Sequence, residues 1–306
     1  MSNFLIVAQQ VTMLFVLMGV GAACRKTRLI DEDSVKGMVN LLILLVTPCL
    51  IVDCFQRSFD PSMLKGLGVA FVIAVATHIV GIAIAYLLIH HWADGTVRVL
   101  RTAEVFSNAG FMGIPLEQAV LGDVGTFYGI VYVAVFNLFM WSWGLWVMGG
   151  KMKPMAMFVN PGTVGIALGL PLFFFSVRLP TMLHSPVHWM AGLNTPLAMI
   201  VIGYYLAGSR LAAALRMKML VLSAVLRLLG VPLLLVAALY PFRHVFDRTM
   251  MLATVTAASA PVAAMVSMFA AKFDRDVDAS VGIVSGTTLL SILTMPVVIA
   301  LAMTVL

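Results

Sequence analysis

Ten long apolar stretches, separated by short connections that hold nearly all the charge, constrain this chain more than anything else. They run over about 4–24, 36–55, 64–90, 97–121, 124–148, 159–178, 187–207, 219–240, 249–271 and 279–304. Each approaches the ~20 residues an α-helix needs to cross the hydrocarbon core of a bilayer. In 306 residues they leave no room for a separate soluble domain. Composition agrees. Hydrophobic residues make up 62% and charged residues 10%, with a mean hydropathy of +1.06. Soluble domains carry about 25% charge, so a soluble or disordered chain is excluded. The expected fold class is an all-α polytopic membrane protein of ten transmembrane helices. No basic region precedes Phe4, as a cleaved signal peptide would require; the cluster Arg25-Lys26-Thr27-Arg28 follows the first segment instead.

A net charge of +6 could suggest nucleic acid, but in a membrane protein it reads as basic residues held in cytoplasmic loops. With the N-terminus outside, the inner loops hold thirteen basic residues: Arg25, Lys26, Arg28, Lys36, Arg98, Arg101, Lys151, Lys153, Arg210, Arg216, Lys218, Lys272 and Arg275. The outer loops hold five: Arg57, Lys65, Arg178, Arg243 and Arg248. Arg227 lies within segment eight. The asymmetry predicts both termini outside, in a plasma membrane of the bacterial inner-membrane type. No nucleic-acid partner is expected. The partners are the bilayer, a small substrate and, as one option, a second copy in a homodimer.

Helix-breaking residues recur in two halves. Thr47-Pro48 in segment two and Thr195-Pro196 in segment seven stand 148 apart, as do Gly21 and Gly169; Pro115 and Pro261 stand 146 apart. Five segments per half is odd, so the second half enters the membrane inverted. The expected organisation is a 5+5 inverted repeat, 1–150 and 151–306. Interrupted helices at matching places in inverted repeats point to a secondary transporter and its binding site.

The fourth segment holds the strongest interruption, Ser107-Asn108-Ala109-Gly110-Phe111-Met112-Gly113-Ile114-Pro115. Proline removes a backbone donor and clashes with the preceding turn. The freed polar groups find no partner in lipid, so the break faces protein or a watery cavity. It offers amides to a carboxylate, carbonyls to a cation, and the uncharged donor and acceptor of Asn108. The candidate substrate-binding set is Asn108, Ser107, Gly110, Gly113 and Pro115, with Ser259 and Pro261 from segment nine, Asn194 from segment seven and Thr47 from segment two. Thr47 has the alternative of bonding its own helix backbone.

This motif, followed by Leu121-Gly122-Asp123, resembles the hallmark of the auxin efflux carrier family, which includes plant PIN carriers and bacterial malate and malonate permeases. Further along, Asn160-Pro161-Gly162, the stretch from Pro196 to Gly203, Arg227-Leu228 with Pro232, Ala260-Pro261-Val262 and Pro296 extend the resemblance over the whole chain. Only residues 149–158 join the halves, so the chain is similar to the compact bacterial members. The resemblance implies crossed, broken helices four and nine, as in bile-acid symporters and sodium/proton antiporters. It also implies a scaffold of helices one, two, six and seven, a transport domain of helices 3–5 and 8–10, and organic anions as substrates.

Charges within the segments are few, and intramembrane ionisable residues are functional candidates. Glu104 shares a helical face with Arg101 and Asn108, and is either a proton-taking group at the site or the partner of Arg101. Glu117 faces an outer vestibule or the surface. His78, mid-segment, suits proton coupling or a plain hydrogen bond. Arg227 is either a counter-charge for an anion or a snorkelling side chain near the inner surface. Asp53 is expected at the outer interface. Cys24, Cys49 and Cys54 form no metal or disulfide framework.

The expected function is a secondary active carrier of small organic anions, mono- or dicarboxylates, working by elevator-like alternating access. No cofactor is implied beyond a coupled proton or sodium ion. The chain has no ATP-binding GxxxxGK[ST], no HExxH and no GxSxG, so an enzyme is not expected. The alternative is a membrane sensor or channel with a transporter-like fold.

Overall fold

The computed structural model describes residues 3–91, 93–151, 160–209 and 218–306. Lys153, Arg210 and Arg216, counted above for orientation, and most of the 149–158 connection lie outside the described residues. The described residues are helical, and their only β-type pairing is an isolated antiparallel bridge between Ser107 and Val262. Seven stretches are long and apolar enough to cross a membrane: α1 (Phe4–Lys26), α2 (Glu32–Cys54), α3 (Pro61–Leu88), α5 (Ala109–Val147), α7 (Thr181–Gly208), α8 (Lys218–Phe242) and α11 (Val277–Val305). Among the described residues four shorter helices accompany these: α4 (Asp94–Val105), α6 (Pro161–Phe174), α9 (Arg248–Ser259) and α10 (Met265–Lys272). Large apolar side chains such as Val16, Val72, Leu87 and Leu293 stand exposed, while Glu104, Glu117, Asn108 and Arg227 are buried. That distribution fits a chain solvated by lipid, and the protein is a multi-pass membrane protein.

The expected segments four and five are divided differently from a simple pair of spans. Segment four is α4 plus the first part of α5, and a sharp turn at Gly122 begins segment five. Gly122 has φ 67°, a left-handed conformation that favours glycine. Gln118 Nε2 donates to Asp123 Oδ1 at 2.8 Å and Thr126 Oγ1 donates to Gln118 Oε1 at 2.7 Å, which ties the turn across its mouth.

Three of the prolines sit inside helical stretches that absorb them. Three wide, π-type turns, Leu42–Val46, Ala109–Gly113 and Ala224–Gly230, each end two residues before a proline: Pro48, Pro115 and Pro232. A π-turn shifts the hydrogen-bond register by one residue, which makes room for a ring that cannot donate and would otherwise clash with the preceding turn. Thr47 bonds back across the first of these turns, Oγ1 to the Leu42 carbonyl at 2.8 Å, the local alternative raised above.

Helix pairs meet through glycine. A Cβ on Gly21 of α1 would run into the backbone of Ile200 on α7, and a Cβ on Gly203 of α7 into the backbone of Met18 on α1. Gly165 of α6 sits against Pro48 and Ile51 of α2, and Gly169 against the Phe55 ring. Such close backbone approach is how helices gain packing energy where no hydrophobic effect drives them together. At one end of the bundle Asp53 reaches His184 at 2.8 Å and His188 at 3.0 Å, pinning α2 to α7.

Candidate functional site

α4 ends at Val105, and the chain runs extended through Phe106 before helical structure resumes at Ala109. α9 ends at Ser259 and resumes as α10 at Met265. The two gaps pair with each other. Asn108 N–H donates to the Pro261 carbonyl at 2.6 Å, and Ala263 N–H donates to the Phe106 carbonyl at 2.9 Å. Val262 N–H donates to Thr287 Oγ1 of α11 at 3.3 Å. These bonds satisfy backbone groups that lipid could not. The first break is therefore at Phe106–Asn108, seven residues before Pro115. Pro115 lies in a helix start, where a missing N–H costs little, so the expectation of unwinding near Pro115 is corrected. Pro261 lies in its break as expected.

Helix ends leave carbonyls without partners. Arg227 supplies some. It is 1% exposed, and its guanidinium donates to the Glu104 carbonyl at 3.2 Å and to the Ala258 carbonyl. These belong to the last turns of α4 and α9, so one cation caps both broken helices at their partially negative ends. Arg227 does not snorkel; the π-turn Ala224–Gly230 that carries it lies against α4 and α9 rather than at a membrane face.

Around Arg227 lie polar atoms with no hydrogen-bond partner among the described residues: both Glu104 carboxylate oxygens, Ser107 Oγ, the Tyr132 hydroxyl, His78 Nε2 and Arg227 Nε. The expected Arg101–Glu104 pair is absent. Arg101 instead stacks on Tyr86 and donates to the Ile89 carbonyl at 3.1 Å, away from the crossover. His78 Nδ1 donates to Ala74 of its own helix at 2.8 Å, and its ring packs on Tyr132 and Phe139. Glu117 faces neither vestibule nor surface: it is fully buried, and its carboxylate oxygens have no partner.

The structure brings Asn108, Ser107 and Pro261 together. The Asn108 residue is 7% exposed, and its side chain does not cap the helical turn that follows it. It stands at the start of a helical turn whose first amides, those of Ala109, Gly110 and Phe111, have no intrahelical acceptor by position. Gly110 is open to space beside Val133, whereas Gly113 packs closely on Ala257 of α9, a contact role rather than a ligand-facing one. Ser259 spends its hydroxyl on the Thr256 carbonyl at 2.9 Å. Asn194 is buried with its Nδ2 unpartnered, on the helix whose second half packs against the Ala109–Gly113 turn. Thr47 is occupied within α2. Sequence reasoning missed Tyr132 and Thr287. The polar run Ser285-Gly286-Thr287-Thr288 inside an apolar segment was the available signal for Thr287; a tyrosine in an apolar stretch gave none.

A family model described as "Membrane transport protein" matches residues 6–157 and 147–299. The chain belongs to this family of auxin efflux carrier (PIN-like) proteins. It is also similar to an uncharacterized transporter of Methanothermobacter thermautotrophicus, 27% identical over 301 residues that cover 94% of this chain and 96% of the relative.

Proposed function

We propose that this family member is a secondary carrier of small organic anions, mono- or dicarboxylates, bound at the junction of the two broken helices. The observation that carries this reading is the Asn108 side chain, which stands at the start of the Ala109–Gly113 turn without capping its first amides. A carboxylate leaving water must find donors to replace its hydration, and this corner offers them. Arg227 contributes a positive field from behind the two helix ends.

The architecture we infer is ten spans as a 5+5 inverted repeat. Segments one, two, six and seven form a scaffold, and segments 3–5 and 8–10 form a transport body that moves against it, elevator-fashion. In its support, the two glycine-mediated contacts, α1 with α7 and α2 with α6, are the pairs that an inverted repeat would relate. Both termini lie outside in this reading, in a bacterial inner membrane. A cysteine placed at Lys151 is expected to react with an impermeant maleimide only from the inner side; labelling from the outer side alone would reverse the topology.

The test of the site uses purified protein. A thermal-shift screen against organic acids identifies the anion, since a ligand of the folded state raises the melting temperature with dose. Asn108→Ala is then expected to weaken its binding by about 1–3 kcal/mol, or 5–150-fold. Asn108→Asp is expected to do more harm by setting a negative charge beside an anion. If both variants fold and bind the anion as wild type does, the site lies elsewhere. Saturable uptake with counterflow in proteoliposomes supports a carrier, and non-saturating flux would favour a channel.

A further inference from the structure

The carboxyl of Glu117 occupies an unusual place. It lies two residues beyond Pro115, on the same helical stretch that begins at Asn108, and none of it reaches solvent. The chain doubles back at Gly122, and the returning part of α5 presents Gly125 and Gly129 to the stretch it has just left. A Cβ on Gly129 would overlap the Glu117 carboxylate, a Cβ on Gly125 would stand 3.3 Å from the Glu117 carbonyl, and one on Gly113 would stand 3.8 Å from Oε1. The carboxyl therefore fills a slot that exists because Gly129 lacks a side chain. Neither oxygen has a hydrogen-bond partner among the described residues. The titratable groups near enough to feel its charge are the Tyr132 hydroxyl, farther along α5, and the Cys54 thiol of α2. Among the described residues no basic side chain offsets it; Arg227 is engaged with α4 and α9.

An ionised carboxylate cannot be held in such a slot without a cation or several donors. A neutral acid can. We propose that Glu117 is the proton-carrying group of this transporter, an inference that rests on the carrier reading given above. In the conformation described here Glu117 is the neutral acid. When the slot opens to water, the carboxyl O–H bond breaks and the proton passes to water. The carboxylate that remains is carried back hydrated, with the slot open, and takes a proton from water on the opposite side before the slot closes again. Closure of the slot thus depends on protonation. Because Gly113 locks this stretch onto Ala257 of α9, closure is tied to the element that carries Asn108. A sodium ion is the poorer occupant, since it needs several converging oxygens, and neither carboxylate oxygen has a hydrogen-bond partner among the described residues.

The experiment compares wild type with Glu117→Gln, a neutral isostere, in proteoliposomes with radiolabelled malonate and malate as anion probes. A gradient of one pH unit supports about tenfold accumulation for one coupled proton. Wild type is expected to reach that level, and E117Q to equilibrate without accumulation while keeping wild-type counterflow. Accumulation by E117Q equal to wild type, or wild-type accumulation driven by a sodium gradient and not by a pH gradient, would overturn the proposal. Absence of both counterflow and accumulation in wild type would count against the carrier reading for these anions and leave the proton site to an infrared measurement. There, wild type at neutral pH is expected to show a carboxylic-acid carbonyl band that E117Q lacks. Identical spectra would mean that Glu117 is ionised, and the proposal fails on that result alone.

Discussion

Arg227→Met is expected to lower the stability of the folded protein by about 3–5 kcal/mol, the range seen when one partner of a buried charged contact is removed. The guanidinium donates to the Glu104 and Ala258 carbonyls and stands beside the Glu104 carboxyl. Methionine fills much of the volume but leaves two carbonyls at helix ends unpaired and removes the cation from the partially negative ends of α4 and α9. Arg227→Lys keeps the charge but not the fork, and one ammonium does not span two carbonyls as a planar guanidinium does. An intermediate loss is expected for it. Denaturant or thermal unfolding in detergent, followed by circular dichroism, measures both. A methionine variant as stable as wild type would show that the two broken helices hold together without the cation.

The second large effect is steric. Gly203→Leu places a side chain where its Cβ already meets the backbone of Met18, which cannot rotate away as a side chain could. Overpacking in a close-fitted interior costs about 1–3 kcal/mol, and against backbone the upper end is expected, with α1 and α7 forced apart. Gly21→Leu acts on the same contact from the other helix, through Ile200. The two substitutions together are therefore expected to cost less than their sum, because the first has already opened the interface. Gly19 provides the control: nothing lies within 4 Å of a Cβ there, so Gly19→Leu should leave the melting temperature unchanged. Equal effects of G19L and G203L would remove the argument that glycine permits this crossing.

The sequence showed the apolar segments, the interruption at Asn108 and the break at Pro261, because lipid makes unsatisfied backbone and missing donors conspicuous. It did not show where the backbone absorbs a proline. A missing N–H is a property of one residue, whereas the compensating π-turn lies before it, so Pro115 was read as the break and proved to sit in a helix start. The fates of Arg227 and Glu117 were equally hidden. A charge within an apolar segment can face lipid headgroups or the interior, and the choice depends on which helix ends meet in space. The Arg101–Glu104 pair fits helical spacing, yet Arg101 turns to Tyr86 and Ile89. Spacing along one helix carries no information about a third element that competes for the same side chain.

The reciprocal bonds between the two gaps, Asn108 to Pro261 and Ala263 to Phe106, act as a buckle. Sliding or parting one broken helix relative to the other would snap both bonds in surroundings that offer no replacement. Parting the halves would leave buried donors and acceptors unpaired, at about 1–3 kcal/mol each. In the carrier reading proposed above, the two broken helices are therefore expected to travel as one piece, with the buckle closed, rather than as separate doors that open in turn.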